Sequence, residues 1–380
     1  MRISRCSAAH YRVPREVWWG QQRIGASQYE ISHIELVTFE VETDDGITGS
    51  GFTYTVGHGG AAVLALLETE IAPALVQQDC REVEAIWHRL HARLHFVGGS
   101  GVTAVAIAAA DIALWDALSR GADLPLYRFL GAHRGEIPAY ASGVNLAYSR
   151  DELVRQVEAF REQGFSAVKM KVGGPLRADV ERVRAVREAI GPDCDLMLDA
   201  NMAWDVGEAA RRVRSFEPFD VYWLEEPLPP DDVLGHAALQ RLTAIPLAAG
   251  ETLFTPSDFG LYFRSEAIRI PQPDVIRLGV TGWLQVAALA RGFGLPLAPH
   301  FIPEIHVHLI CAVPNGLNLE YLPIFERLLE EPLEVRGGVA RPKEVPGHGM
   351  IFSREVLEPY RIGRGGAEQA RGMSVGRSHD

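Results

Sequence analysis

Ala167-Val168-Lys169-Met170-Lys171 is a short apolar segment carrying two lysines at i and i+2. In a strand such positions share one face. Two ammonium groups held side by side in a confined space lower the pKa of at least one of them. That leaves a neutral amine near physiological pH, able to act as a base. The same spacing also suits a solvated strand edge, so the meaning of the pair depends on what flanks it.

Outward from this segment, from Leu130-Gly131 onward, short apolar runs alternate with amphipathic helical patterns, the signature of parallel β/α units. Strands are predicted over 137–142, 167–172, 195–199, 221–225, 246–251, 267–274, 296–300 and 317–320. The helix predicted over 150–163 carries Asp151-Glu152 in its first turn, and the one over 179–190 stops at Gly191-Pro192. Eight strands in roughly 200 residues suit a closed barrel better than an open sheet. Upstream, extended runs over 29–42 and 47–55 flank Thr43-Asp44-Asp45-Gly46, a hairpin signal. Helical spacing follows over 61–71, 80–94 and 101–120. This part is read as an α+β cap, with 12–26, rich in Trp, Gln, Arg and Gly, as a mobile loop. The stretch from about Glu330 is Pro- and Gly-rich without a clear period, and 364–380 reads as a partly disordered tail.

The bulk properties exclude several functions. With 380 residues, 47% of them hydrophobic, the chain can bury a large core. A net charge of -12 without a basic block argues against nucleic acid and anionic membrane as partners. The apolar run 101–118 is broken by Asp111 and Asp116 and reads as a packed helix, and no signal core or spanning segment is expected. Cys6, Cys80, Cys194 and Cys311 are scattered, as expected of reduced thiols in a cytoplasmic protein.

In a barrel of this kind the chemistry lies at the C-terminal ends of the strands. Ser142, Lys169 with Lys171, Asp199, Glu225, Glu251, Asp274, His300 and Glu320 close the predicted strands in succession. Any one of them alone would pass for a helix cap or a loop polar group. Asp199, Glu225 and Glu251 follow one another at intervals of 26, as do Asp274 and His300, so a regular repeat brings each to the same rim. Three converging carboxylates need a cation, and an all-oxygen set favours a hard ion, Mg²⁺ first and Mn²⁺ second. Asp274 beside His300 would orient the ring and stabilise its protonated form.

The Lys-x-Lys pair, the trio within LDANMAWD (198–205), WLEEPL (223–228) and AAGET (248–252), then Asp274, His300 and Glu320, resemble the enolase superfamily, mandelate racemase subgroup. AAADIALWDALSRGADLPLYRFLG (108–131) extends the resemblance into the cap, so that it covers nearly the whole chain. It implies a (β/α)7β modified TIM barrel over 133–330, an α+β capping domain over 1–132 and a segment 331–380 that returns to the cap. It further implies Mg²⁺ on Asp199, Glu225 and Glu251, binding a substrate carboxylate and stabilising the enediolate left when the α-proton departs. Lys171 would be the base on one face, with Lys169 lowering its pKa and touching the carboxylate. His300 with Asp274 would serve the other face. Glu320, protonated, would donate a hydrogen bond to the substrate, with Asn201, Ser142 and Tyr54 as further contacts.

Two opposed bases permit either racemisation of a 2-hydroxy acid or loss of a β-hydroxyl. Arg12, Arg15, Gln21, Gln22, Arg23 and Tyr29 offer donors suited to hydroxyls or a second carboxylate, whereas Trp18 and Trp19 suit an aryl group. The donors favour dehydration of a sugar acid, an aldarate or aldonate such as galactarate, although the same cluster also fits a solvated face. Symmetric homo-oligomers, from dimer to octamer, follow from the resemblance. A barrel glycosidase would leave both lysines and the third carboxylate without a role, and a barrel retained only for binding would be expected to have lost a ligand or base. Gly98-Gly99-Ser100-Gly101 lacks the Lys-Ser/Thr of a phosphate loop, and Gly57-His58-Gly59-Gly60 is an equally weak signal. His306 and His308 in EIHVHL are expected in the helix after His300, where i and i+2 diverge.

Overall fold

The computed structural model describes residues 1–19 and 31–363. The cap is built on an antiparallel sheet in the order β1 (Ile3–Pro14), β2 (His33–Thr43), β3 (Thr48–Val56). β2 and β3 meet at the expected hairpin, where Gly46 takes a left-handed φ of 81° that glycine adopts without steric cost. β1 departs from the sequence reading, which saw no strand there. As an edge strand it buries Ile3, His10 and Val13 while most of its other positions stay accessible, so its hydrophobic alternation is thin. Arg12 therefore lies in a strand rather than a loop, and Arg15–Trp18 forms one helical turn. Gln21, Gln22, Arg23 and Tyr29 lie outside the described residues.

One face of this sheet receives the helix Val102–Gly121, which is long and apolar enough to cross a membrane but has 89% of its apolar window buried in the fold. Its Ala109, Ala113 and Ala117 lie directly on β3. A Cβ on Gly49 or Gly51 would stand 2.1 Å from the carbonyl oxygen of Ala113 or Ala109, so only glycine permits this approach. The four cysteines are free, and all but Cys6 are buried.

The second sheet is parallel and curls in chain order through β4 (Ile137–Ser142), β5 (Ala167–Lys171), β6 (Asp195–Asp199), β7 (Val221–Glu225), β8 (Leu247–Ala249) and β9 (Ile270–Pro271), with β10 (Leu319–Tyr321) back beside β4. The segment 296–300, expected as the seventh strand, is reduced to a bridge between Leu297 and Gly316 on one side and, on the other, hydrogen bonds from the Ala298 N–H to the Pro271 carbonyl, 3.1 Å, and from the His300 N–H to the Pro273 carbonyl, 3.3 Å. Pro271, Pro273, Pro296 and Pro299 carry no N–H, so this sector cannot sustain a ladder. The ring closes nonetheless, as a (β/α)7β barrel beneath the cap. Residues after Glu331 run back over both parts. Val339 and Ala340 pair with the start of β4, Glu344 takes an ion pair from Arg128, and Tyr11 bridges Arg361.

Candidate active site

Register sets the site. Ser142 pairs with Lys169, Lys171 with Asp199, and Asp199 with Glu225, so the rim side chains of β4 to β7 stand side by side. Two residues earlier on each strand the chain turns the same face inward. Tyr140, Ala167, Met197 and Trp223 stand there and, with Ala248, Ile270 and Ala298 from the following segments, form a separate buried cluster, the apolar floor of the site. A dry floor keeps the dielectric low and makes every charge above it count for more.

On that floor Asp199, Glu225 and Glu251 bring one carboxylate oxygen each within 4.8 Å of one another. The set is all oxygen and suits a divalent hard cation such as Mg²⁺. Glu225 is held by the Trp223 indole N–H (3.2 Å) and the Gln272 amide N–H (2.7 Å), both donating to Oε2. Oδ1 of Asp199 accepts the Asn201 N–H at 3.0 Å. Lys169 Nζ lies 2.6 Å from Glu225, 2.7 Å from Glu320 and 3.5 Å from Asp199. Lys171 is paired with Asp199.

These contacts decide the proton states. Burial acts most strongly on Lys171 and lowers its pKa, and Lys169 lowers it further as expected, but Asp199, Glu251 and Glu225 together outweigh both and the net shift is upward. Lys169, also buried, is held well above its ordinary value by Glu225 and Glu320. Burial and neighbouring acids push Glu225 up to about 8 despite Lys169. Burial would also raise Glu320, but Lys169 and His300 bring it down to about 2. Glu320 is thus an ionised acceptor, bonded by the Phe301 N–H at 2.7 Å, and not the protonated donor expected from the sequence.

His300 stands at the other end of the trio. Its Nδ1 is 2.9 Å from Asp274 and its Nε2 is 3.3 Å from Glu251. Burial disfavours the imidazolium, yet Glu251 and Asp274 raise its pKa to about 10. Asp274 serves twice, since its other oxygen caps the helix Val275–Gly292 at the Ile276 N–H, 3.0 Å. Glu226, beside Glu225, accepts from the Thr252 hydroxyl at 2.8 Å, and burial followed by Glu251 raises its pKa well above normal. Asn201, Met202, Glu226, Phe301 and Ile302 all have positive φ, so left-handed backbone is concentrated just past these strand ends. Such strain persists only where the surroundings over-determine it.

Among the expected substrate contacts, Ser142 and Asn201 lie at this rim, with Ser142 buried and the Asn201 Oδ1 without a hydrogen-bond partner among the described residues. Tyr54 reaches the mouth from β3, its ring 5.9 Å from Phe301 and 5.1 Å from Phe325. Arg12 does not join them. Its guanidinium is committed to Glu35 (2.7 Å), which also holds the buried His10 at 3.0 Å. Gln272, Trp223 and Tyr140, whose ring lies 5.7 Å from Lys169 Nζ, were not anticipated. All three could have been found by counting back two residues from Ser142, Glu225 and Asp274.

Comparison with known proteins agrees with this arrangement. Residues 15–131 match the mandelate racemase / muconate lactonizing enzyme N-terminal domain, and residues 152–356 match the enolase C-terminal domain-like family. The chain is 37% identical to a 3,6-anhydro-alpha-L-galactonate cycloisomerase of Streptomyces coelicolor, over 95% of this chain and 100% of the relative. It is also 37% identical to an L-talarate/galactarate dehydratase of Salmonella typhimurium, over 87% of this chain and 83% of that protein. The crystal structure of an L-talarate dehydratase from Polaromonas sp. JS666, complexed with Mg and L-glucarate, superposes with a TM-score of 0.87 at 35% identity, covering 95% of this chain and 98% of that one. Both halves of the chain, and their order, place it in the mandelate racemase/muconate lactonizing enzyme family of the enolase superfamily.

Proposed function

We propose that the protein is a Mg²⁺-dependent lyase that dehydrates a sugar acid, an aldarate or aldonate such as galactarate, to a 2-keto-3-deoxy acid. The observation that carries this reading is the placement of two proton-handling groups at opposite ends of one carboxylate trio, Lys171 on Asp199 and His300 on Glu251. Asp199, Glu225 and Glu251 would hold the divalent ion, which would supply a fixed positive charge for the substrate's carboxylate and for the charge that develops at C2 and would offset the Asp199 charge that holds Lys171 protonated. Lys171, as a neutral amine, takes the proton from C2. The electron pair left at C2, delocalised into the carboxylate, then forms the C2=C3 bond as the C3–O bond breaks. His300, protonated and oriented by Asp274, gives its proton to the departing hydroxyl, which leaves as water. The resulting enol ketonises to the 2-keto acid. Lys169 and Ser142 line the side where the substrate's carboxylate would lie.

A second reading is cycloisomerisation of an anhydro sugar acid, favoured by the match over the full length of the Streptomyces relative. The same groups then break a C3–O bond to a ring oxygen, which stays in the molecule as a hydroxyl. Racemisation of a 2-hydroxy acid would use the same two bases without loss of oxygen. The deciding experiment incubates mono- and diacid sugars and anhydro sugar acids with enzyme and Mg²⁺ in D₂O and follows the products by NMR and mass. Dehydration gives a deuterated 2-keto product lighter by one water, and chelation stops it until Mg²⁺ or Mn²⁺ is restored. Turnover that survives exhaustive chelation, or products without deuterium, would refute the reading.

A further inference from the structure

From the first histidine of EIHVHL, set in the helix Pro303–Ala312, we infer that His306 is a positioning residue for the His300–Asp274 pair, a role that rests on the function proposed above. His306 is fully buried and touches neither the carboxylate trio nor the lysines. Its ring instead spans the two chain segments that carry the pair. The Val275 N–H, next to Asp274, donates to Nε2 at 3.0 Å, while Nδ1 meets the carbonyl of Phe301, next to His300.

The two contacts allow one tautomer. A backbone N–H can only donate, so Nε2 must be bare, and a carbonyl can only accept, so Nδ1 must carry the hydrogen. An imidazolium would present a proton to the Val275 N–H and break the tie. Burial lowers the His306 pKa to about 4, in keeping with a neutral ring at working pH. The bridge also supports an expensive turn, since Phe301 and Ile302 have φ of 52° and 40°. The segments are also tied by the His300–Asp274 contact itself, by a 3.3 Å bond from the His300 N–H to the Pro273 carbonyl and, further from the pair, by the 3.1 Å bond from the Ala298 N–H to the Pro271 carbonyl. His306 therefore fixes how far apart, and at what angle, the proton donor and its orienting carboxylate are held. Displacements of about 1 Å at a reacting group cost roughly a hundredfold in rate.

The bridge can be cut one arm at a time. His306→Asn keeps a donor near the Phe301 carbonyl but cannot reach Val275, His306→Gln reaches Val275 with its oxygen, and His306→Phe removes both arms. Each variant is expected to lose kcat by about a hundredfold with KM within about threefold, while deuterium exchange of the substrate's α-proton at the lysine face survives. A bridge with one arm is no bridge, so the Phe variant should be little worse than the others. Spectra of full-length protein with ¹⁵N-labelled histidine need no substrate. They should show His306 as the Nδ1–H tautomer without titration from pH 5.5 to 9, and a displaced His300 resonance in every variant. This arm stands even if no sugar acid is turned over and the functional reading fails. An Nε2–H tautomer, a folded variant with normal kcat and an unmoved His300 resonance, equal loss of kcat and lysine-face exchange, or failure of all three variants to fold would each overturn the inference.

Discussion

The molecule gathers buried acidic side chains both at the seam between cap and barrel and at the barrel mouth, and it treats the two groups differently. At the seam between cap and barrel, Asp111 accepts the Thr281 N–H (2.8 Å) and hydroxyl (2.7 Å). Asp116 accepts the N–H groups of Ser50 and His348 (2.9 Å each) and the Arg120 guanidinium (2.7 Å). There every carboxylate is matched by protein donors, and the result is a joint. At the barrel mouth Asp199, Glu225, Glu226, Glu251, Asp274 and Glu320 also accept neutral donors, but only three side chains that can carry positive charge, Lys169, Lys171 and His300, stand against these six acids. An excess of buried negative charge is costly unless a cation joins it. A buried acid therefore speaks for function through the positive charge it still lacks, and burial alone says little.

The largest effects should come from breaking the mouth. Lys171→Ala and His300→Asn are each expected to lower kcat by at least about a thousandfold, with the fold and Mg²⁺ binding kept, as read by steady-state kinetics beside calorimetric titration. Near-normal turnover in either variant on every accepted substrate would remove that residue from the mechanism. Next in size, Gln272→Leu frees the Glu225 carboxylate from one of its anchors and should weaken Mg²⁺ binding by about 10- to 100-fold. An unchanged titration would show that Gln272 does not hold the trio in place.

Breaking the seam should do the opposite, costing stability and sparing chemistry. Asp111→Ala orphans the Thr281 N–H and is expected to destabilise the fold by about 1–3 kcal/mol at pH 6, with kcat at 25 °C within about twofold. A large loss of kcat in folded protein would mean that the seam is not merely a joint. The smallest effect is a slope. Burial outweighs the Thr281 hydrogen bonds and raises the Asp111 pKa to about 7. Between the unfolded value near 4 and that value the native state binds the extra proton, so this contribution is complete below about pH 4 and fades as pH rises towards 7. Denaturant melts should show stability falling by at most about 1.4 kcal/mol per pH unit across that window, and Asp111→Asn should flatten the fall. A slope unchanged in that variant would assign it to other groups.

Much of this was legible in the linear chain because parallel β/α units repeat a local pattern. The strand period puts Lys169 and Lys171 on one face, and the interval of 26 carries Asp199, Glu225 and Glu251 to one rim. Where pairing is one-sided or proline-rich, the pattern fails. β1, with a single neighbour, shows little alternation, and the segment around Ala298 closes the ring almost without a ladder.

Residue types and their order alone determined the barrel, the acidic trio and the placing of Lys171 and His300 at its rim, since each depends on periods that a few neighbours impose. Tertiary structure alone decided what those groups are bonded to and how they are charged. Glu320 is ionised because Lys169 and His300 converge on it, Arg12 is spent on Glu35, and Asp274 and His300 share a second tie through His306. Proton affinity and aim depend on distances between segments far apart in the chain, which no local period encodes.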